Sequence, residues 1–194
     1  MEYYSFSESV KNGISFLYTK IFVKRARLIR LPFYVRGKKY IEFGKNITTG
    51  YRCRFEVDGT HNEKCLIIGD NVNFGDDVRI SCSEKIHIGN NVLLAGKVLI
   101  VDNSHGKYKG RKQDDIEVPP NKRKIYSSPI YIKDNVWIGE GAVIQQGITI
   151  GKGSVIAANS VVTKSVPDNC IVGGVPASVL KIYDLKKREW VKYE

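Results

Sequence analysis

The chain has 194 residues, 42% of them hydrophobic, with 31 Lys and Arg against 20 Asp and Glu for a formal charge of +11. That length suits one globular domain, and the hydrophobic content is too high for a disordered chain. The longest uncharged stretches, Gly141 to Gly151 and Gly153 to Thr163, fall short of the roughly 18 apolar residues a membrane helix needs, so a soluble protein is expected.

The chain opens Met1-Glu2-Tyr3-Tyr4 and carries Glu8 and Lys11 before any apolar run. It lacks the basic start, apolar segment and cleavage site of an export signal, which predicts a cytoplasmic protein. Residues 1–40 read as an N-terminal cap. Within them Ser7 to Leu31 spaces Val10, Ile14, Leu17, Ile21 and Leu28 among Lys20, Lys24, Arg25, Arg27 and Arg30, the pattern of a basic amphipathic helix. Two placements fit that helix: across one end of the domain, shielding open strand edges, or on a membrane surface or partner.

From 41 to 178 a six-residue period organises the chain. It runs in broken groups through Phe43, Thr49 and Phe55, then Ile68, Phe74 and Ile80, then Ile88, Leu94 and Ile100. It then continues unbroken through Ile132, Ile138, Ile144, Ile150, Ile156 and Val162. Each unit is one short strand and a turn, and three units close a triangular coil whose aliphatic residues stack on those of the next coil. About five coils of an all-β solenoid are predicted, and the general rule for parallel crossovers favours a right-handed path. Gly59 to Leu66 is a short excursion between coils. The long insertion 106–131 carries Lys107, Lys109, Arg111, Lys112, Lys122, Arg123 and Lys124 together with Pro119-Pro120. A structureless loop longer than about 12–15 residues is usually functional or disordered, and this one leaves directly after His105, which favours function. Beyond 178, Leu180 to Tyr193 reads as a short helical cap over 179–194.

Cys53, Cys65, Cys82 and Cys170 form no C-x-x-C pair and have no His at metal spacing, so buried free thiols are expected. His61 and His87 read as structural or solvated. No metal site is predicted.

Asn135-Val136-Trp137-Ile138-Gly139, Gly147-Ile148-Thr149-Ile150-Gly151, Asn159-Ser160-Val161-Val162-Thr163-Lys164 and Gly174-Val175-Pro176-Ala177 resemble the hexapeptide-repeat acyltransferases of the maltose and galactoside O-acetyltransferase type. Arg36-Gly37-Lys38-Lys39-Tyr40 through Phe43-Gly44-Lys45 is similar to the subgroup that decorates bacterial capsule, lipopolysaccharide and exopolysaccharide. The resemblance implies a left-handed parallel β-helix with N-terminal and C-terminal helical caps. It also implies a homotrimer with active sites between subunits, acetyl-CoA as donor and a carbohydrate acceptor, with possible peripheral contact at the inner membrane face and no nucleic acid.

Asp102-Asn103-Ser104-His105-Gly106 matches the family's catalytic segment, making His105 the expected base. An alcohol is a poor nucleophile until its proton is taken, and a neutral imidazole suits that task. Either Asp102 or a backbone carbonyl near Trp137 could hold the tautomer of His105. By the same resemblance Gly139, Ala158 and Ser160 line the pantetheine groove, Thr163 and Lys164 follow along it, and Lys181 approaches the phosphates. Trp137 is expected beside the acceptor pocket or the insertion, or as packing that buttresses the insertion. Lys97 stands where the galactoside enzymes carry an acceptor-contacting Asn, and with the basic insertion it points to an acidic or phosphorylated sugar. The alternatives are a small acceptor (a sugar, an amino sugar or a streptogramin-type antibiotic) and a non-catalytic solenoid that binds an anionic polymer.

Overall fold

The structure is a computed structural model that describes residues 5–58 and 63–193; the excursion's first residues and His61 lie outside the described residues. The six-residue ladder folds into three walls that the chain visits in turn. The first wall stacks Tyr34–Arg36, Arg54–Val57, Arg79–Cys82, Leu99–Val101, Val143–Ile144 and Val161–Val162. The second stacks Ile41–Phe43, Leu66–Ile68, Ile86–Ile88, Ile130–Ile132 and Thr149–Ile150. The third stacks Thr48–Thr49, Asn73–Phe74, Leu93–Leu94, Trp137–Ile138, Val155–Ile156 and Cys170–Gly174. All these neighbours pair in parallel, which makes the chain a parallel β-helix.

The register shows why a period of six is needed. Ile132 stacks on Ile150, Ile138 on Ile156 and Ile144 on Val162, so successive ladder residues belong to successive walls and all point inward. Ile80, Ile100 and Ile144 form one such buried column. Each full burial of this kind contributes roughly 1.5–3 kcal/mol. Turning from the second wall to the third requires a left-handed residue, and Asn46, Asn71, Asn91 and Asn135 supply it with φ of 55–58°. Their amides hydrogen-bond in a column at 3.2, 3.1 and 3.2 Å. Next to that column a Cβ on Gly69 would lie 2.6 Å from the Gly89 oxygen, so only glycine lets the coils stack there.

The helix Phe6–Phe22 starts with a capping box in which Ser5 and Glu8 satisfy each other's backbone N–H. It closes the N-terminal end of the solenoid. The Thr19 hydroxyl accepts from Ile29 N at 2.8 Å and the Ser15 hydroxyl from Leu31 N at 3.1 Å. These N–H groups belong to the first edge of the stack, where Leu28 bridges to Thr48, and would otherwise face a missing coil. Of the two placements the sequence allows, the helix lies across the first edge of the stack.

At the other end the expected C-terminal helix is not formed. Ala177–Asp184 turns back antiparallel on Cys170–Gly174, and Glu189–Lys192 pairs antiparallel with it in turn. The last parallel strand offers an open row of backbone groups, and an added strand satisfies them where a helix could not. The turn suits this path: Asp184 accepts from Lys186 N and Lys187 N at 2.8 and 3.0 Å, and Arg188 takes a φ of 57°.

The insertion is also ordered. Asn103–His105 pairs antiparallel with Ile125–Ser127, forming a two-stranded arm that stands on the corner between the first and second walls.

Candidate active site

The arm corner collects the titratable groups. Asp102 directly follows the first-wall strand Leu99–Val101 and is fully buried. Its carboxylate accepts from Ser83 N, Glu84 N and Lys85 N at 2.8, 2.9 and 2.9 Å and from Asn103 Nδ2 at 3.1 Å. Those bonds clamp the turn of the coil below against the root of the arm. The carboxylate is therefore engaged with that turn, and its hydrogen bonds do not include the His105 ring.

His105 follows three residues later at the base of the arm, paired with Ile125 and exposed. It opens onto a cleft of about 210 Å³ whose walls include Arg36, Glu56, Asp58, Arg79, Ser83 and Asn103. Its carbonyl accepts from the Tyr108 hydroxyl, which in turn accepts from Arg123 Nη1 at 2.8 Å. Arg123 also donates to Val118 O at 2.8 Å and Ile116 O at 3.2 Å, so one guanidinium ties the arm's far loop to the residue that carries the imidazole. Sequence reasoning missed Tyr108 and gave Arg123 only as part of the insertion's basic charge, because neither has a repeat to place it.

Beside His105 the first wall presents a row of guanidiniums. Registers Arg36 to Glu56 and Arg54 to Arg79 bring three arginines around one carboxylate. Glu56 receives Arg54 at 2.8 Å, Arg79 at 3.0 Å and Arg36 at 3.6 Å, and its side chain is only 16% exposed. The hydrogen bond from Arg54, assisted by the Arg54 and Arg79 charges, holds the Glu56 carboxyl below the usual carboxylate range against the opposing effect of burial. Asp58 is the second carboxylate of the cleft, so its two guanidiniums, Arg36 and Arg79, face two carboxylates, and Arg54 stands just outside its lining. Cys82 also borders it, and burial together with the Asp102 charge pushes its thiol up, keeping it neutral. The arginine row was not singled out in the sequence either, because its members lie far apart until the coils return them to one column.

On the other side of the arm a cleft of about 470 Å³ is lined by Ser104, Lys107, Tyr108, Tyr126, Gln146 and Thr163 among others. Gln146 Nε2 donates to Ser104 Oγ at 3.1 Å and fastens the arm to the next coil. Lys164 lies one residue further, exposed at the rim of a cleft of about 230 Å³ formed with Val162, Val166, Val172, Ser178 and Val179. Lys181 is exposed on the antiparallel strand opposite Ile171 and Lys192.

The remaining predicted residues lie elsewhere. Gly139, Ala158, Ser160 and Lys97 occupy the corner between the third and first walls. A Cβ on Gly139 would come 2.6 Å from Ala158 N, so the backbone here is bare and close-stacked. Ser160 is buried, its hydroxyl accepting from Gly174 N at 3.2 Å. Lys97, with φ of 59°, forms an exposed ion pair with Glu140 at 3.2 Å. Trp137 projects half-exposed from the third wall between Leu93 and Val155, opposite the arm corner, so within one chain it does not buttress the arm. His87 is partly exposed on the second wall between Ile67 and Tyr131. Among the described residues no group of three or more His, Cys, Asp and Glu is placed to hold a metal ion.

A single chain therefore brings His105, Thr163 and Lys164 to one corner and Gly139, Ala158 and Lys97 to another. Outward apolar rows flank the second corner: Leu93, Trp137, Val155 and Ile171 on the third wall and Leu99, Val143 and Val161 on the first.

Comparison with known proteins places this architecture. The family model described as bacterial transferase hexapeptide (six repeats) matches residues 129–164. WbbJ of Escherichia coli strain K12, named for an inferred role as a lipopolysaccharide biosynthesis O-acetyl transferase, is 37% identical over 177 residues, covering 91% of this chain and 89% of its own. The galactoside O-acetyltransferase of the same strain is 35% identical over 147 residues, covering 67% and 70%. Among solved structures, a maltose O-acetyltransferase from Clostridium difficile 630 superimposes with a TM-score of 0.61 at 29% identity, over 93% of this chain and 90% of that one.

Proposed function

Because the chain belongs to the hexapeptide-repeat transferase family and is an acyltransferase, we propose that it carries an acetyl group from acetyl-CoA to a hydroxyl of an anionic carbohydrate. The acceptor class is a bacterial surface polysaccharide or its precursor, in keeping with the role named for WbbJ. The observation that carries this reading is the position of His105 at the mouth of a cleft lined by Arg36 and Arg79. Two guanidiniums beside a base, with the surplus positive charge supplied by the lysines and arginines of the arm, suit an acidic or phosphorylated sugar.

Acetyl-CoA supplies a thioester-activated acetyl group. The residues present fit it: Lys164 stands at the rim of an apolar cleft, Lys181 is exposed on a neighbouring strand, and Gly139 and Ala158, which the family resemblance gives to the pantetheine groove, stack on each other in successive coils. A ring nitrogen of His105 takes the proton of the acceptor hydroxyl as its oxygen bonds to the acetyl carbon. The same nitrogen returns that proton to the departing sulfur as the C–S bond breaks, so ester and free thiol form without a covalent enzyme intermediate. With the Asp102 carboxylate engaged by the turn at 83–85, a backbone carbonyl is the orienter we assign to the imidazole.

Separation of the two corners is the reason to assign a trimer. The base of one copy and the glycine corner of another complete a site that one chain splits, and the outward apolar rows provide the faces that would meet. We assign the coil the left hand that the family resemblance implies and the protein to the cytoplasmic side of the membrane.

The test pairs binding with turnover. Wild-type protein should bind acetyl-CoA saturably, and His105→Ala should keep that affinity while lowering kcat on an anionic polysaccharide acceptor by roughly 10² or more. Near-wild-type turnover by His105→Ala removes the base assignment. Equal rates on neutral and anionic acceptors remove the specificity assignment.

A further inference from the structure

The helix Phe6–Phe22 presents to the solenoid the side that a core helix would turn outward. Its buried residues are Ser15 and Thr19, whose hydroxyls are committed to the N–H groups of Leu31 and Ile29. Phe6, Val10, Ile14, Leu17 and Ile21 recur at three- and four-residue spacing and form a stripe on the opposite side. All five are exposed, from 48% at Val10 to 87% at Phe6. A continuous apolar stripe of this kind marks an interaction surface.

The charge around the stripe identifies what it meets. Residues 5–27 carry Lys11, Lys20, Lys24, Arg25 and Arg27 against the single acid Glu8, while Arg30 is turned to the solenoid, donating to Asn12 Oδ1 and Thr49 O. Glu8 is engaged in the capping box with Ser5. Lys20 Nζ lies 5.1 Å from the Phe16 ring centroid, and Lys38 Nζ donates to the Phe22 carbonyl at 2.8 Å, so cations edge the helix as well as its C-terminal end. No helix among the described residues is long and apolar enough to cross a membrane. An apolar stripe on a helix that does not span, with Lys11 and Lys20 on the helix and Lys24, Arg25 and Arg27 just past its end, is the form of an interfacial helix, its stripe at the acyl boundary and its cations at lipid phosphates.

We propose that this helix docks the protein on a bilayer containing anionic lipid. The helix covers the end of the solenoid, so docking leaves the three walls and the arm corner free. Arg36, Arg54 and Arg79 occupy successive coils from that end towards His105, so an acceptor held at the same surface reaches the base along the first wall. The docking itself does not depend on the reaction assigned above.

The experiment is vesicle co-sedimentation of the full chain with equal parts phosphatidylcholine and phosphatidylglycerol, and with phosphatidylcholine alone. Two variants accompany it: Ile14→Gln/Leu17→Gln/Ile21→Gln, and Lys11→Glu/Lys20→Glu. All five side chains are exposed, so both variants should keep the wild-type unfolding midpoint. Wild type should bind the anionic vesicles at least tenfold more tightly than the neutral ones, high salt should weaken that binding, and each variant should lose at least tenfold. Three results would overturn the proposal: no binding of wild type to anionic vesicles, equal binding by wild type and the triple Gln variant, or a fall in the solution mass of that variant. The last would show that the stripe is covered by a second copy of the chain.

Discussion

Replacing Asp102 separates two jobs a carboxylate beside a catalytic histidine can do. In the structure it holds three backbone N–H groups of the turn 83–85 and the Asn103 amide. A hydrogen bond to a charged acceptor contributes about 1.5–3 kcal/mol, and a buried donor left bare costs about 1–3 kcal/mol. Only Ser83 is well buried, whereas Glu84 and Lys85 are half-buried and water can take over their N–H groups. Asp102→Ala should therefore cost about 2–4 kcal/mol in total, well short of three full bonds. Asp102→Asn, which keeps one oxygen but turns an NH2 towards a backbone donor, should cost about 1–3 kcal/mol. Urea unfolding at fixed chain concentration measures both, and the slope with denaturant should not change. An unfolding midpoint for Asp102→Ala equivalent to less than about 0.5 kcal/mol of loss would refute this reasoning. If that stability were retained while kcat collapsed, the carboxylate would be acting on the imidazole instead.

Two further outcomes follow from the charges and thiols. The Glu56 carboxyl is held low in the folded chain chiefly by its hydrogen bond from Arg54, so its stabilising effect is present above the unfolded value, about 4.3, and fades as pH falls below it. Unfolding midpoints of wild type and Glu56→Gln should therefore differ at neutral pH and converge on acidification, and a constant gap down to pH ~3 would contradict the assignment. Burial pushes the Cys53 thiol up to about 12 and the Cys82 thiol further, while Cys65 and Cys170 are raised for the same first cause. Iodoacetamide at pH ~8 should label these cysteines only in denaturant, and rapid labelling of native Cys53 or Cys82, followed by mass spectrometry, would contradict their buried environment.

The solenoid was legible because the walls impose one rule on every coil. An inward position recurs each sixth residue, so Ile132 to Val162 can be read without knowing which wall each occupies. The arm was legible only at its root. Asn103-Ser104-His105 and Ile125-Tyr126-Ser127 show no shared alternation, and their pairing is imposed by the corner from which both strands leave. The C-terminal stretch misled for a related reason. Leu180, Ile182 and Leu185 among lysines have no strong strand pattern, and their extended form is set by the open edge of Cys170–Gly174. The arginine row becomes visible when the chain is written coil under coil: Arg54 then stands over Arg79, and Arg36 over Glu56. No spacing within a single coil announces it.

The N-terminal helix is the case in which local pattern and tertiary demand diverge most. Amphipathic spacing alone assigns Val10, Ile14, Leu17 and Ile21 to whatever the helix packs against. The end of a parallel β-helix, however, presents backbone donors as well as apolar side chains, and donors left unpaired there cost more than a missing hydrophobic contact. Ser15 and Thr19 meet that demand with hydroxyls, Asn12 adds a side-chain oxygen 3.3 Å from Arg30 Nε, and all three belong to the polar side of the wheel. Once that side is fixed against the strand edge, the geometry of a single helix leaves the apolar stripe facing away. Any substitution that gave the solenoid end an apolar seat, such as Ser15→Leu/Thr19→Leu, would strand the N–H groups of Ile29 and Leu31. The outward stripe is thus a consequence of how this chain closes its first coil.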